Sequence, residues 1–181
     1  MKTVVLFIQG GGEGAYEEDG VLAAALQSAL GAAFLVKYPR MPREEDPDYA
    51  AWKEQISREL AAVDGRLILV GHSVGGSVLL RYLFEVKVEK PVTGVFFLAA
   101  PYWGAEEWLV DGSRLQENLA GPHPDGPPIF FYHNRDDEVV PFAHLAMFTE
   151  KIPHANYRAY EQGGHQFTHH LNEVAAKIAN L

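Results

Sequence analysis

Gly71-His72-Ser73-Val74-Gly75-Gly76 stands directly behind the apolar run Leu67-Ile68-Leu69-Val70. A buried strand that ends in Gly-x-Ser-x-Gly and opens into a helix presents its serine on a sharp, strained turn, the form of a nucleophile elbow. Side chains two residues to either side of that serine would collide with the neighbouring strand and helix. Glycine at 71 and 75 removes them and leaves Ser73 Oγ standing above the sheet.

A serine hydroxyl attacks a carbonyl only when a base takes its proton and an acid orients the base. In open parallel sheets such groups gather at the carboxyl ends of strands. The chain has eight histidines. His165, in Gly163-Gly164-His165-Gln166-Phe167, is the one that follows the last expected strand inside a glycine turn. His169 and His170 read as a surface pair near the final helix. His72 is carried by the elbow itself, so its ring points away from Oγ. The acid should follow an earlier strand, and Asp136-Asp137-Glu138 comes after Ile129-Phe130-Phe131-Tyr132. Asp136 and Glu138 read as a solvated acidic turn. Asp137 precedes Val140-Pro141 by the distance of a tight turn leading into a helix whose first turn tolerates proline. The order Ser73, Asp137, His165 differs from that of the chymotrypsin-like and subtilisin-like serine proteases.

The elements that must hold these residues are legible as alternating patterns. Apolar runs at 3–9, 33–38, 66–71, 92–99, 128–133 and 156–160 are mostly continuous, as in parallel strands covered on both faces. Between the second and third, Tyr49, Trp52, Ile56, Leu60 and Val63 recur at helical spacing, and 17–30, 75–86, 142–150 and 169–180 also read as helices. Strand–helix alternation predicts a three-layer, doubly wound α/β sheet of about six mostly parallel strands with right-handed crossovers. The 181 residues are 48% hydrophobic and 22% charged, which fits one domain over 1–181. Net charge is −9 with no basic stripe, against nucleic acid or an anionic membrane as partner. There are no cysteines, so thiolate chemistry and disulfides are excluded. The apolar start after Met1-Lys2 is too short for a signal peptide, and no run approaches the ~20 residues of a membrane span. A cytoplasmic protein is expected.

Gly-His-Ser-x-Gly-Gly, then Asp-x-x-Val-Pro, then Gly-His-x-Phe resembles the α/β-hydrolase superfamily across nearly the whole chain. The small size and lack of a large cap resemble the compact serine hydrolases grouped with retinoblastoma-binding protein 9 and bacterial predicted esterases. The resemblance implies Ser73 as nucleophile, His165 as general base and Asp137 as its orienting acid. It also implies strand order 2-1-3-4-5-6, no cofactor, and a small-molecule ester or related acyl substrate cleaved through an acyl-enzyme. One oxyanion donor should be the Val74 amide, next to the nucleophile. The other should come from Gln9-Gly10-Gly11-Gly12-Glu13-Gly14, where Gly11 matches the residue after the family's usual His-Gly. Gln9 replaces that histidine, so Gly10 and Gly12 stay open as alternatives.

Two other readings compete. Gly10-Gly11-Gly12-Glu13-Gly14-Ala15 satisfies the Gly-x-Gly-x-x-Ala variant of dinucleotide-binding loops, although Glu13 would face the pyrophosphate and no ribose-binding acid ends the second strand. A catalytically silent α/β-hydrolase scaffold acting in binding is the other, since fold alone guarantees no function. Residues 101–127 are long for a plain connection, which suggests a functional loop or lid, or a surface-packed helix around 105–119. Tyr102, Trp103 and Trp108 within them are candidates for an acyl pocket.

Overall fold

The computed structural model describes residues 2–103, 105, 126–167 and 169–181. Six strands form one sheet: β1 (Thr3–Ile8), β2 (Phe34–Lys37), β3 (Leu67–His72), β4 (Val92–Leu98), β5 (Ile129–Asn134) and β6 (Asn156–Tyr160). The order is β2-β1-β3-β4-β5-β6, with every neighbouring pair parallel. Five α-helices accompany them among the described residues: α1 (Ala15–Leu30), α2 (Tyr49–Ala61), α3 (Ser73–Glu85), α4 (Ala143–Lys151) and α5 (Leu171–Ala179), which follows the last strand. The expected open α/β sheet is thus realised, with strand boundaries within a residue or so of the apolar runs.

Strand side chains alternate between two cores, because successive Cβ atoms point to opposite faces. Leu6, Ile8, Leu69, Phe97 and Phe131 pack with α2, α3 and α4 around the fully buried Trp52. Val5, Phe7, Val70, Phe96 and Phe130 pack on the other face against Leu22 and Leu26 of α1 and Val174 and Ile178 of α5. Both faces of the central strands are covered, which is why those strands read as continuous apolar runs rather than alternating ones.

Local signals account for two of the helix starts. Asp48 caps α2 by accepting from the Ala51 amide at 2.8 Å. Gly14, in the left-handed region at φ 81°, turns the chain into α1. Parallel connectivity places the ends of β1, β3, β5 and β6 along one edge of the sheet, and the chemistry-bearing residues follow those four ends.

Candidate active site

β3 runs without a break into α3, and Ser73 sits at the junction with φ 49°, a left-handed conformation uncommon for a residue with a Cβ. A Cβ at Gly71 would lie 2.6 Å from Gly76 Cα, and one at Gly75 would lie 2.6 Å from Ile8 O and press on Gln9 O. The two glycines are therefore required by the approach of α3 to the end of β1 and to its own preceding strand. Val74 is the second residue of α3, so its amide belongs to the first turn, whose N–H groups have no intrahelical acceptor.

Asp137 follows β5 in the turn foreseen for it. Its Oδ1 accepts from the Val139 and Val140 amides at 2.9 and 2.8 Å, which ties the carboxylate down. His165 Nδ1 lies 3.0 Å from both carboxylate oxygens. Burial works against the charge on Asp137, but the hydrogen bond and charge of His165 and the two amides outweigh it and hold this carboxyl below its ordinary range. Next to it His133 donates from Nε2 to Val140 O at 2.9 Å, and burial pushes that imidazole down, toward the neutral form.

Ser73 and His165 are each 6% exposed and line one cavity of about 300 Å³ together with Gly10, Gly11, Val74 and Glu138. No direct hydrogen bond joins their side chains among the described residues. In the loop after β1, the Gly10 amide is taken by Asp19 Oδ2 at 2.7 Å and the Gly12 amide by Glu44 O at 2.6 Å. Gly11 lies between them, with the place of its absent Cβ 3.4 Å from Val74 Cβ. Gln9 braces this loop, accepting from the Met41 amide at 2.9 Å and donating to Glu44 at 2.7 Å.

The sequence model of the family described as serine hydrolase matches residues 21–171, from α1 to the start of α5 and across the elbow and both later loops. The chain belongs to the serine hydrolase family. Solved structures carry the same fold at low identity. The ydeN gene product of B. subtilis superposes with a TM-score of 0.65 at 18% identity, covering 92% of this chain and 88% of that one. Est1E from Butyrivibrio proteoclasticus, solved with ferulic acid bound, gives 0.68 at 18% identity over 98% and 87% of the two chains. The esterase domain of a Rhodothermus marinus protein gives 0.67 at 16% identity over 98% and 85%. No curated protein matches the sequence.

In this serine hydrolase, the acidic turn after β5, read from the sequence as solvated, holds the loop of His165. Asp136, expected as part of a solvated turn, is exposed yet accepts from the Gly163 and Gly164 amides at 3.1 and 2.9 Å. Glu138 accepts from the His165 amide at 3.2 Å, and Asn134 donates to Gly164 O at 2.7 Å. The signal available beforehand was the pairing of an acidic turn with a Gly-Gly turn at adjacent strand ends, where bare amides need acceptors. The aromatic candidates fall elsewhere. Trp103 is fully buried against Tyr49, with ring centroids 5.9 Å apart, and Tyr102 packs edge-on to Phe148 at 5.1 Å. Neither is among the residues lining the cavity at Ser73. Trp108 lies outside the described residues, as do 104 and the rest of 106–125, most of the stretch 101–127 suggested as a lid. No helix among the described residues is long and apolar enough to cross a membrane.

Proposed function

We propose that this chain is an esterase- or thioesterase-type hydrolase that cleaves a carboxylic ester or related acyl bond through Ser73, His165 and Asp137. The observation that carries the reading is the two-oxygen grip of Asp137 on His165 Nδ1 at 3.0 Å, beside a serine held at positive φ in the same cavity. With Nδ1–H donated to an ionised carboxylate, Nε2 is the free base. Ser73 Oγ attacks the acyl carbon as Nε2 takes its proton, and the serine–histidine contact tightens once substrate is seated. The Val74 and Gly11 amides receive the oxyanion, because Gly10 and Gly12 have theirs committed within the chain. The protonated imidazole then gives its proton to the leaving oxygen or sulfur. Water, deprotonated by the same nitrogen, attacks the acyl-enzyme, and Ser73 leaves with the proton.

A cavity of about 300 Å³ is at the small end for ligand sites, which favours short acyl groups. Glu18, Asp19 and Glu138 line it, and among the described residues no lysine or arginine does, so neutral or cationic substrates are favoured over carboxylate-bearing ones. The same acidic wall, with two loop amides already paired, disfavours a pyrophosphate at Gly10–Ala15.

A fluorophosphonate probe tests the reading. Wild type should be labelled and should turn over p-nitrophenyl acetate, and Ser73→Ala should do neither while keeping its melting temperature. A folded wild-type protein that resists the probe and leaves the ester intact would move the assignment to a non-catalytic binding scaffold.

A further inference from the structure

His72 is not used by the mechanism above, yet it is among the most constrained polar groups in the molecule. Its ring is 1% exposed, Nδ1 lies 2.9 Å from Asp19 Oδ2, and Nε2 lies 3.0 Å from the main-chain oxygen of His165. The two partners settle the protons. A carbonyl oxygen only accepts, so Nε2 must carry hydrogen. The second proton lies between Nδ1 and Asp19 Oδ2, since a bare Nδ1 lone pair facing a carboxylate would repel it. Asp19 Oδ2 accepts once more, from the Gly10 amide at 2.7 Å.

This buried pair therefore ties three segments that the chain delivers separately. One is the glycine loop after β1, through Gly10. The second is the elbow, because His72 is bonded directly to Ser73. The third is the loop after β6, through the backbone of His165, whose ring centroid stands 4.8 Å from that of His72.

We propose that Asp19 and His72 form a second, proton-retaining dyad that positions His165 and the Gly10–Gly11 loop relative to Ser73. They are positioning residues, and the proposal rests on the hydrolase reading for its effect on rate. Asp19 of α1 and His165 of the loop after β6 face the ring directly, and Asp137 from the turn after β5 acts on it through its charge. Burial opposes a charged ring, but the charge and hydrogen bond of Asp19 outweigh it and raise the His72 pKa above its ordinary value. Asp19 moves the opposite way: burial raises it, but the charge of His72, its hydrogen bond to Asp19 and the Gly10 amide's bond to Asp19 together bring it below the usual carboxylate range. Both directions favour the shared proton that the two hydrogen bonds of His72 call for.

Asp19→Asn is the informative variant. An amide oxygen in place of Oδ2 still serves Gly10 but offers no charge to hold the extra proton. A neutral His72 can then donate to that amide oxygen or to His165 O, not to both. The test is ¹⁵N-histidine NMR on the full chain at pH 7, beside ester kinetics and fluorophosphonate labelling. Wild type should show His72 protonated on both ring nitrogens, and Asp19→Asn should show it neutral. The hydrogen-bonded Nδ1–H signal of His165 should broaden in the variant as its loop loosens. The kcat should fall about tenfold to a hundredfold, with KM within twofold and the fold retained. A neutral His72 in wild type, or a variant with an unchanged His165 signal, would overturn the dyad. Loss of probe labelling in wild type would instead sink the hydrolase reading, and the two NMR signals would still decide the dyad.

Discussion

Asp137 shows how much one carboxylate can be asked to hold. Oδ1 takes two backbone amides, and both oxygens face His165 Nδ1, with His133 Nε2 3.4 Å from Oδ2. An amide cannot reproduce this, because its NH₂ would face two backbone donors in place of Oδ1, and in place of Oδ2 it would make His165 Nδ1 an acceptor. Asp137→Asn is therefore expected to lower kcat on the order of 10³–10⁴-fold through the wrong imidazole tautomer, measured with p-nitrophenyl acetate. Asp136, one residue away, is a milder case. Its two oxygens each serve one glycine amide, so Asp136→Asn keeps one bond and should lose less than twofold in kcat. Asp136→Ala keeps neither and should lose severalfold, with the loop of His165 more open to proteolysis. Equal effects at 136 and 137 would mean that the acid has been misassigned.

Among the elements, the decisive junction is the one between β3 and α3. Gly75 packs against the carbonyls that close β1, and a methyl group there has no room without driving α3 off the sheet. Gly75→Ala should destabilise by about 3 kcal/mol or more in chemical denaturation, at the upper end of overpacking costs. Gly12, with open space where its Cβ would be, offers a contrast in contacts though not in backbone, since its φ is 121°. The strands and helices were legible because each carries a period in consecutive residues: continuous apolar runs for strands covered on both faces, and the Tyr49–Leu60 stripe for α2. What escaped were contacts whose partners are far apart in sequence. Trp103 looks like a pocket aromatic beside Gly and Pro, but its indole is drawn beneath α2 by the apolar contact with Tyr49.

For the molecule as a whole, the buried titratable groups set the pH range over which the fold is strongest. Asp19 and Asp137 have folded pKa values below their ordinary 3.8, so the stability they contribute is present above 3.8 and is lost as pH falls through the folded values. His133, pushed below 6.5 by burial, acts in the same direction from a higher pH. His72, raised above 6.5, works the other way, with its contribution complete below 6.5 and lost as pH rises through the folded value. The melting temperature should therefore fall on acidification, most steeply below about pH 4. Calorimetry of wild type and Asp137→Asn across pH 3–8 checks this, and a variant as acid-sensitive as wild type would remove Asp137 from the account.

The amino-acid sequence by itself determined the order of elements, the strained serine at a strand–helix junction, and the candidates for its acid and base. Each of these is written in neighbouring residues: a run of apolar side chains, glycines flanking Ser73, a carboxylate three residues before Val140, a histidine after paired glycines. Only the tertiary structure decided which polar groups were already spoken for. That Asp19 of α1 would reach His72, 53 positions later, and consume the Gly10 amide depends on β1 and β3 lying side by side in the sheet. That Glu44 O would take the Gly12 amide depends on how residues 39–48 fold back over the same loop. Hydrogen-bond capacity is local to a residue, but its use is set by whatever the chain's path brings within about 3 Å.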